Sequence, residues 1–104
     1  MNQLLLSLIL VAAAGDVGSA PGVRIINDSF QPATLAVSAG QSVTFTNADD
    51  DAHTVTAVDG SFDSRGLDTG GVWHHVFTKP GTYRYFCQMH PFMKGTIVVR
   101  AVAP

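Results

Sequence analysis

The chain has 104 residues, a formal net charge of −2 and eight acidic residues, every one an aspartate. Its lysines and arginines are scattered from Arg24 to Arg100. They form no basic stripe, so the electrostatic footprint of a nucleic-acid binder is missing. This length is one domain's worth, and a single cysteine, Cys87, excludes an internal disulfide.

The start of the chain reads as an export signal. Leu4 to Ala14 is an apolar run too short to cross a bilayer as a helix. Gly18-Ser19-Ala20 follows as a small-x-small pattern suited to cleavage after Ala20. Residues 1–20 are therefore expected to be a signal peptide and 21–104 the mature domain, placed in the periplasm or otherwise exported. The alternative is a retained anchor, because Met1-Asn2-Gln3 carries no lysine or arginine. No other long apolar segment occurs, so no stable membrane insertion is expected once the signal is removed.

The mature part shows no helical periodicity. Short β-branched runs between turn residues dominate. Expected strands are Val23–Asn27, Thr34–Ser38, Gln41–Asn47, His53–Val58, Val72–Thr78, Thr82–Cys87 and Thr96–Ala101. Gln41–Asn47 alternates cleanly, with Val43 and Phe45 facing inward. Ala39-Gly40-Gln41 and Lys79-Pro80-Gly81 read as turns. Ala48-Asp49-Asp50-Asp51-Ala52 reads as a solvated polar loop that delivers His53. The stretch Asp59–Gly71 is poorly patterned, with Phe62 and Leu67 as its anchors to the core. About seven strands at this spacing predict an all-β fold, an antiparallel Greek-key β-sandwich.

The chemistry concentrates near the C-terminus. Cys87, His90 and Met93 follow one another at intervals of three. On a straight strand residues three apart face opposite sides, so these converge only if the chain bends. Pro91 and Gly95 favour such a bend. A thiolate, an imidazole and a thioether suit copper better than a hard cation. Of the other histidines, His53 follows a loop at a strand start and is the best second imidazole. His74 and His75 lie inside a strand-like run and read as structural or surface residues. Taken singly, Cys87 reads as a small buried hydrophobe, His90 as a solvated loop histidine, and Met93 or Met89 as a core plug. Their coincidence before Gly95 is what points to a metal centre.

The segment Pro80-Gly81-Thr82-Tyr83 through Tyr85-Phe86-Cys87-Gln88-Met89-His90-Pro91-Phe92-Met93-Lys94-Gly95 resembles the cupredoxins, the small blue copper proteins. Its Cys-x-x-His-x-x-Met spacing is similar to the short ligand loop of the amicyanin-like members rather than the longer loops of plastocyanin-like ones. The likeness extends to Phe30-Gln31-Pro32, to Gly40 through Asn47, and to His53-Thr54-Val55. The resemblance implies a cupredoxin-like β-sandwich with one type 1 copper ion. It assigns His53, Cys87 and His90 as strong ligands and Met93 as the long axial one. It gives Asn47 the task of tying the His53 loop to the Cys87 loop. Gln88 stands where the family often has Ser or Thr, which leaves the Gln88 backbone to carry that link, and Met89 stands where amicyanin-like members have Pro.

The expected function is one-electron shuttling, Cu(I)/Cu(II), by a monomer that meets redox protein partners briefly near His90, with no enzymatic activity. A nucleophilic role for Cys87 finds no oxyanion-hole glycine cluster beside it. A copper carrier or buffer is the alternative, and a zinc-stabilised binding module a further one. Exposed Met- or His-rich tracts suited to copper transfer are absent.

Overall fold

The computed structural model describes residues 20–102. The expected signal segment, apart from Ala20, lies outside the described residues. Among the described residues there are eight strands: β1 Gly22–Ile26, β2 Ser29–Gln31, β3 Thr34–Ser38, β4 Ser42–Asn47, β5 Thr56–Ala57, β6 Val72–Val76, β7 Gly81–Phe86 and β8 Lys94–Arg100. They form two four-stranded sheets, ordered β2-β1-β4-β6 and β3-β8-β7-β5.

The all-β sandwich agrees with expectation, but its strands are not all antiparallel. β1 pairs parallel with β4, and β3 pairs parallel with β8. The cause is the crossing between layers. After the β1–β2 hairpin the chain moves to the second sheet as β3 and returns as β4 beside β1. Parallel neighbours require such a crossover and cannot be joined by a tight turn. The alternation that marks one buried face is the same for either direction, so sequence periodicity is silent on it.

β2 is the strand added to the expected set. It is reached through a two-residue turn, Asn27-Asp28, in which both residues have φ of 53°. Two positive φ values match the twist of a tight hairpin, and Asn and Asp tolerate them better than other side chains. Conversely, the expected His53–Val58 strand is mostly irregular. Only Thr56–Ala57 joins the second sheet, pairing with Phe86 and Tyr85. His53 and Val55 are instead zipped to the 59–71 stretch. His53 and Leu67 exchange both backbone hydrogen bonds, at 3.1 and 2.8 Å. Val55 and Ser64 pair through Ser64 N–H to the Val55 carbonyl at 2.9 Å and Val55 N–H to Ser64 Oγ at 2.8 Å. Phe62 and Leu67 are buried, as expected, and anchor this stretch; each is worth about 1.5–3 kcal/mol of apolar burial.

The core lies between the sheets. Val23 and Ile25 of β1, Val43 and Phe45 of β4, Tyr85 of β7, and Ile97 and Val99 of β8 point into it. Tyr85 is edge-on to Phe30 and Phe45, with ring centroids 4.7 and 5.7 Å away. Its hydroxyl is the one buried side-chain oxygen or nitrogen without a hydrogen-bond partner among the described residues. The ring needs Gly95 opposite it: a Cβ there would lie 2.3 Å from Tyr85 Cζ.

Candidate metal centre

Two chain segments meet at one end of the sandwich. The first leaves β4 at Asn47 and reaches His53. The second leaves β7 at Phe86 and runs from Cys87 to Met93 before β8 begins. Within this second loop the His90 amide donates to the Cys87 carbonyl at 3.2 Å, and the Met93 amide donates to the His90 carbonyl at 2.8 Å. These are two successive turns of i to i+3 type. They solve the spacing problem posed by the sequence, since each turn returns the chain to the same side after three residues. The Cys87 amide donates to the Met93 carbonyl at 3.2 Å and closes the loop.

One donor atom each from His53, Cys87 and His90 lies within 4.8 Å of the other two. Cys87 Sγ is 3.7 Å from Nδ1 of His53 and 3.7 Å from Nδ1 of His90. That is long for a hydrogen bond but fits donor atoms that share one ion at bond lengths of about 2.0–2.3 Å. The two imidazole rings have centroids 4.9 Å apart. His53, Cys87 and Met93 are buried, and His90 is partly exposed. Met93 contributes its carbonyl and amide to loop closure and buries its side chain in the core. A thiolate and two imidazoles form a soft, low-coordinate donor set that fits copper and not a hard cation.

The electrostatics prepare this donor set. Burial alone would raise the Cys87 thiol, but the Thr54 amide, both imidazoles and the Met89 amide outweigh it and lower its pKa from 9.0 to about 7. The Thr54 N–H lies 3.3 Å from the sulfur. Burial alone would lower the His53 pKa, but contact with Cys87 and Asp49 more than offsets this and raises it. His53 Nε2 lies 2.8 Å from Asp49 Oδ2. A carboxylate can only accept, so Nε2 carries the proton, and in the neutral ring Nδ1 keeps its lone pair toward Cys87.

Asp49 is therefore not a solvated loop residue. Its carboxylate also accepts the amides of Asn27 at 2.7 Å and Asp28 at 3.0 Å, which hooks the β1–β2 turn to the His53 ring. Asp50 and Asp51 are exposed, as a solvated loop would have them. Asn47 is fully buried, but its bonds differ from the expected link. Its Nδ2 donates to the carbonyls of Asp51 and Leu67, at 2.9 and 2.8 Å, and its Oδ1 accepts the Asp49 amide at 2.9 Å. All three braces stay on the His53 side. The link to the cysteine loop is made by Thr54, whose Oγ1 accepts the Gln88 amide at 2.8 Å. The Gln88 backbone thus carries its half of the link, and Thr54 replaces Asn47 as its partner. Hydroxyl residues are so common in loops that only a position adjacent to His53 could have flagged Thr54.

His74 and His75 lie away from this cluster. His74 is exposed and shares a 3.0 Å hydrogen bond with Thr44. His75 faces inward and stacks on Trp73 at 5.1 Å.

The chain matches the cupredoxin-like domain over residues 4–99. It is 35% identical over 82 residues to amicyanin-alpha of Methylorubrum extorquens, spanning 74% of this chain and 69% of that protein. Among solved structures it is similar to the Cu(I) form of an amicyanin variant, with a TM-score of 0.75, 30% identity, and coverage of 84% of this chain and 89% of that one. A purple cupredoxin from Nitrosopumilus maritimus superposes with a TM-score of 0.71 at 30% identity, over 77% of this chain and 99% of that one. On its sequence, its two-sheet sandwich and the donor cluster at one end, this chain belongs to the cupredoxin-like family.

Proposed function

We propose that this protein is a small exported electron carrier with one type 1 copper ion held by His53, Cys87, His90 and Met93. The observation that carries this reading is the meeting of a buried, acidified thiol with two imidazole nitrogens, each 3.7 Å from the sulfur. When bound, copper supplies a one-electron Cu(I)/Cu(II) couple. The chain's part is to hold the donors still. Asp49 fixes the His53 ring, the Thr54 amide faces the sulfur, and two consecutive turns set His90. Donors fixed in advance leave little to rearrange when the charge on the ion changes.

Around the partly exposed His90, Met89 and Phe92 are 49% and 68% exposed. Large apolar side chains beside a ligand histidine suit brief docking of redox partners through a small interface. Residues 1–20 are proposed as the signal for export and 21–104 as the mature, monomeric domain. A copper carrier is less favoured, because three of the four proposed ligands are buried, whereas handing copper to a partner needs donors within its reach.

The test is optical and electrochemical. Copper-loaded protein should show an intense visible thiolate-to-copper band and a reversible one-electron wave, and should keep its copper through repeated cycles. Cys87→Ser should lose the band while the far-UV circular dichroism stays that of a β-sandwich. Colourless copper-loaded wild type overturns the assignment.

A further inference from the structure

Three hydrogen bonds in series lead from the residue after Cys87 to the surface. The Gln88 amide donates to Thr54 Oγ1 at 2.8 Å. Thr54 Oγ1 and Thr56 Oγ1 are 2.9 Å apart. Thr56 Oγ1 donates to Asp63 Oδ1 at 3.2 Å. Both threonines are buried, at 4% and 8% exposure, while Asp63 is exposed.

The direction of this series is fixed by proton counting. A hydroxyl has one proton, an ionised carboxylate has none, and a backbone amide can only donate. Thr56 therefore gives its proton to Asp63. Its oxygen is left to accept the proton of Thr54, whose oxygen in turn accepts the Gln88 amide. Every dipole points the same way, and bonds aligned like this in a low-dielectric interior reinforce one another. The negative end is anchored: Asp63 Oδ1 also accepts the Arg65 amide at 2.9 Å, and Thr56 and Asp63 form a β-bridge.

Thr54 is the junction. Its hydroxyl is in the series, and its own amide faces Cys87 Sγ at 3.3 Å. Rotation of the Thr54 hydroxyl away from Gln88 would free the peptide that follows the cysteine. It would also loosen the Thr54 backbone that supplies the N–H to sulfur.

We infer that Asp63, a surface carboxylate in the 59–71 stretch, is a positioning residue for the Cys87 thiolate, acting through Thr56 and Thr54. Its effect on a bound ion rests on Cys87 being a copper ligand, but the series itself belongs to the protein alone. It tunes the sulfur by holding an N–H donor on it. Loss of that donor leaves the thiolate a stronger electron donor, which favours Cu(II) and lowers the reduction potential.

The decisive experiment compares Thr56→Val, Thr56→Ser and Asp63→Ala in the full chain. In metal-free protein, amide hydrogen exchange at Gln88 should speed up about tenfold in Thr56→Val and Asp63→Ala, with Ile97 as the control for global stability. Thr56→Ser, which keeps the hydroxyl, should exchange at the wild-type rate. In copper-loaded protein, Thr56→Val should have a lower reduction potential than wild type, and Thr56→Ser the same potential. Unchanged Gln88 exchange in Thr56→Val, or no rescue by Thr56→Ser, overturns the inference even if the site is blue. A protein that never takes up copper overturns the proposed function, while the exchange data still decide the hydrogen-bonded series. If Asp63→Ala does not fold, the two Thr56 variants carry the same decision.

Discussion

Asp49 bridges the β1–β2 turn and His53 of the metal centre: one carboxylate oxygen lies 2.8 Å from the imidazole, and the same carboxylate caps two turn amides. Burial acts to raise the Asp49 pKa, but the Asp28 and Asn27 amides and His53 outweigh it and hold it below 3.8. A depressed carboxylate stabilises the fold above its unfolded value and loses that contribution as pH falls through the lower folded value. Asp49→Asn should therefore cost about 1 kcal/mol in metal-free protein at pH 6. Urea unfolding should show the gap from wild type closing toward pH 3. A gap that stays constant with pH would remove the charge from the explanation.

Copper binding should release protons. The Cys87 thiol, with its pKa lowered to about 7, and the His53 ring, with its pKa raised, must both give up a proton before they can bind a metal. In the metal-free state the His53 contribution to stability is complete below 6.5 and fades as pH rises through its raised folded value. The thiolate contribution runs the other way, fading as pH falls through about 7. Apparent copper affinity should thus weaken at least about tenfold per unit below pH 7, measured by competition with a chelator. Chelation should also lower the thermal midpoint, since metal bound only by the folded state stabilises it.

Gly95 and Tyr85 are a steric pair. Gly95→Ala would place a methyl 2.4 Å from the Tyr85 hydroxyl and 2.7 Å from Cε2. Both partners lie on neighbouring strands of one sheet, so neither moves without disturbing the ladder. A loss of about 2–3 kcal/mol is expected. Tyr85→Phe should act in the opposite sense. It removes a buried hydroxyl with no partner, so stability should rise by up to about 1 kcal/mol. A destabilised Tyr85→Phe would mean the hydroxyl has a partner after all, such as a buried water.

Charging the exposed apolar pair should slow docking and leave the site intact. Met89→Lys with Phe92→Lys should preserve the visible band. Electron self-exchange between copies, read from NMR line broadening, should fall about tenfold or more, because two like-charged patches must then meet. Unchanged self-exchange would move the docking surface away from His90.

Much of the architecture was written locally. Alternation through Val43, Phe45 and Asn47 marks β4 whatever pairs with it, and the Cys87, His90 and Met93 spacing with Pro91 and Gly95 demands a bend. The direction of the neighbouring strand leaves no such mark, which is why the parallel β1–β4 and β3–β8 pairs had to be seen. The Asn27-Asp28 hairpin was hidden because β2 is only three residues long.

The supporting residues were legible only in part. Asp49 sits in an acidic run indistinguishable from a solvated loop, and Thr54, Thr56 and Asp63 are ordinary loop and strand residues in sequence. Their roles depend on which partner the fold brings opposite them, as it brings the Gln88 amide to Thr54 from 34 residues away. The donor types could be read from residue identity, because ligand chemistry resides in the side chain. Their protonation and bracing came with folding, because the thiolate and the His53 ring are set by hydrogen bonds that exist only once the loops meet.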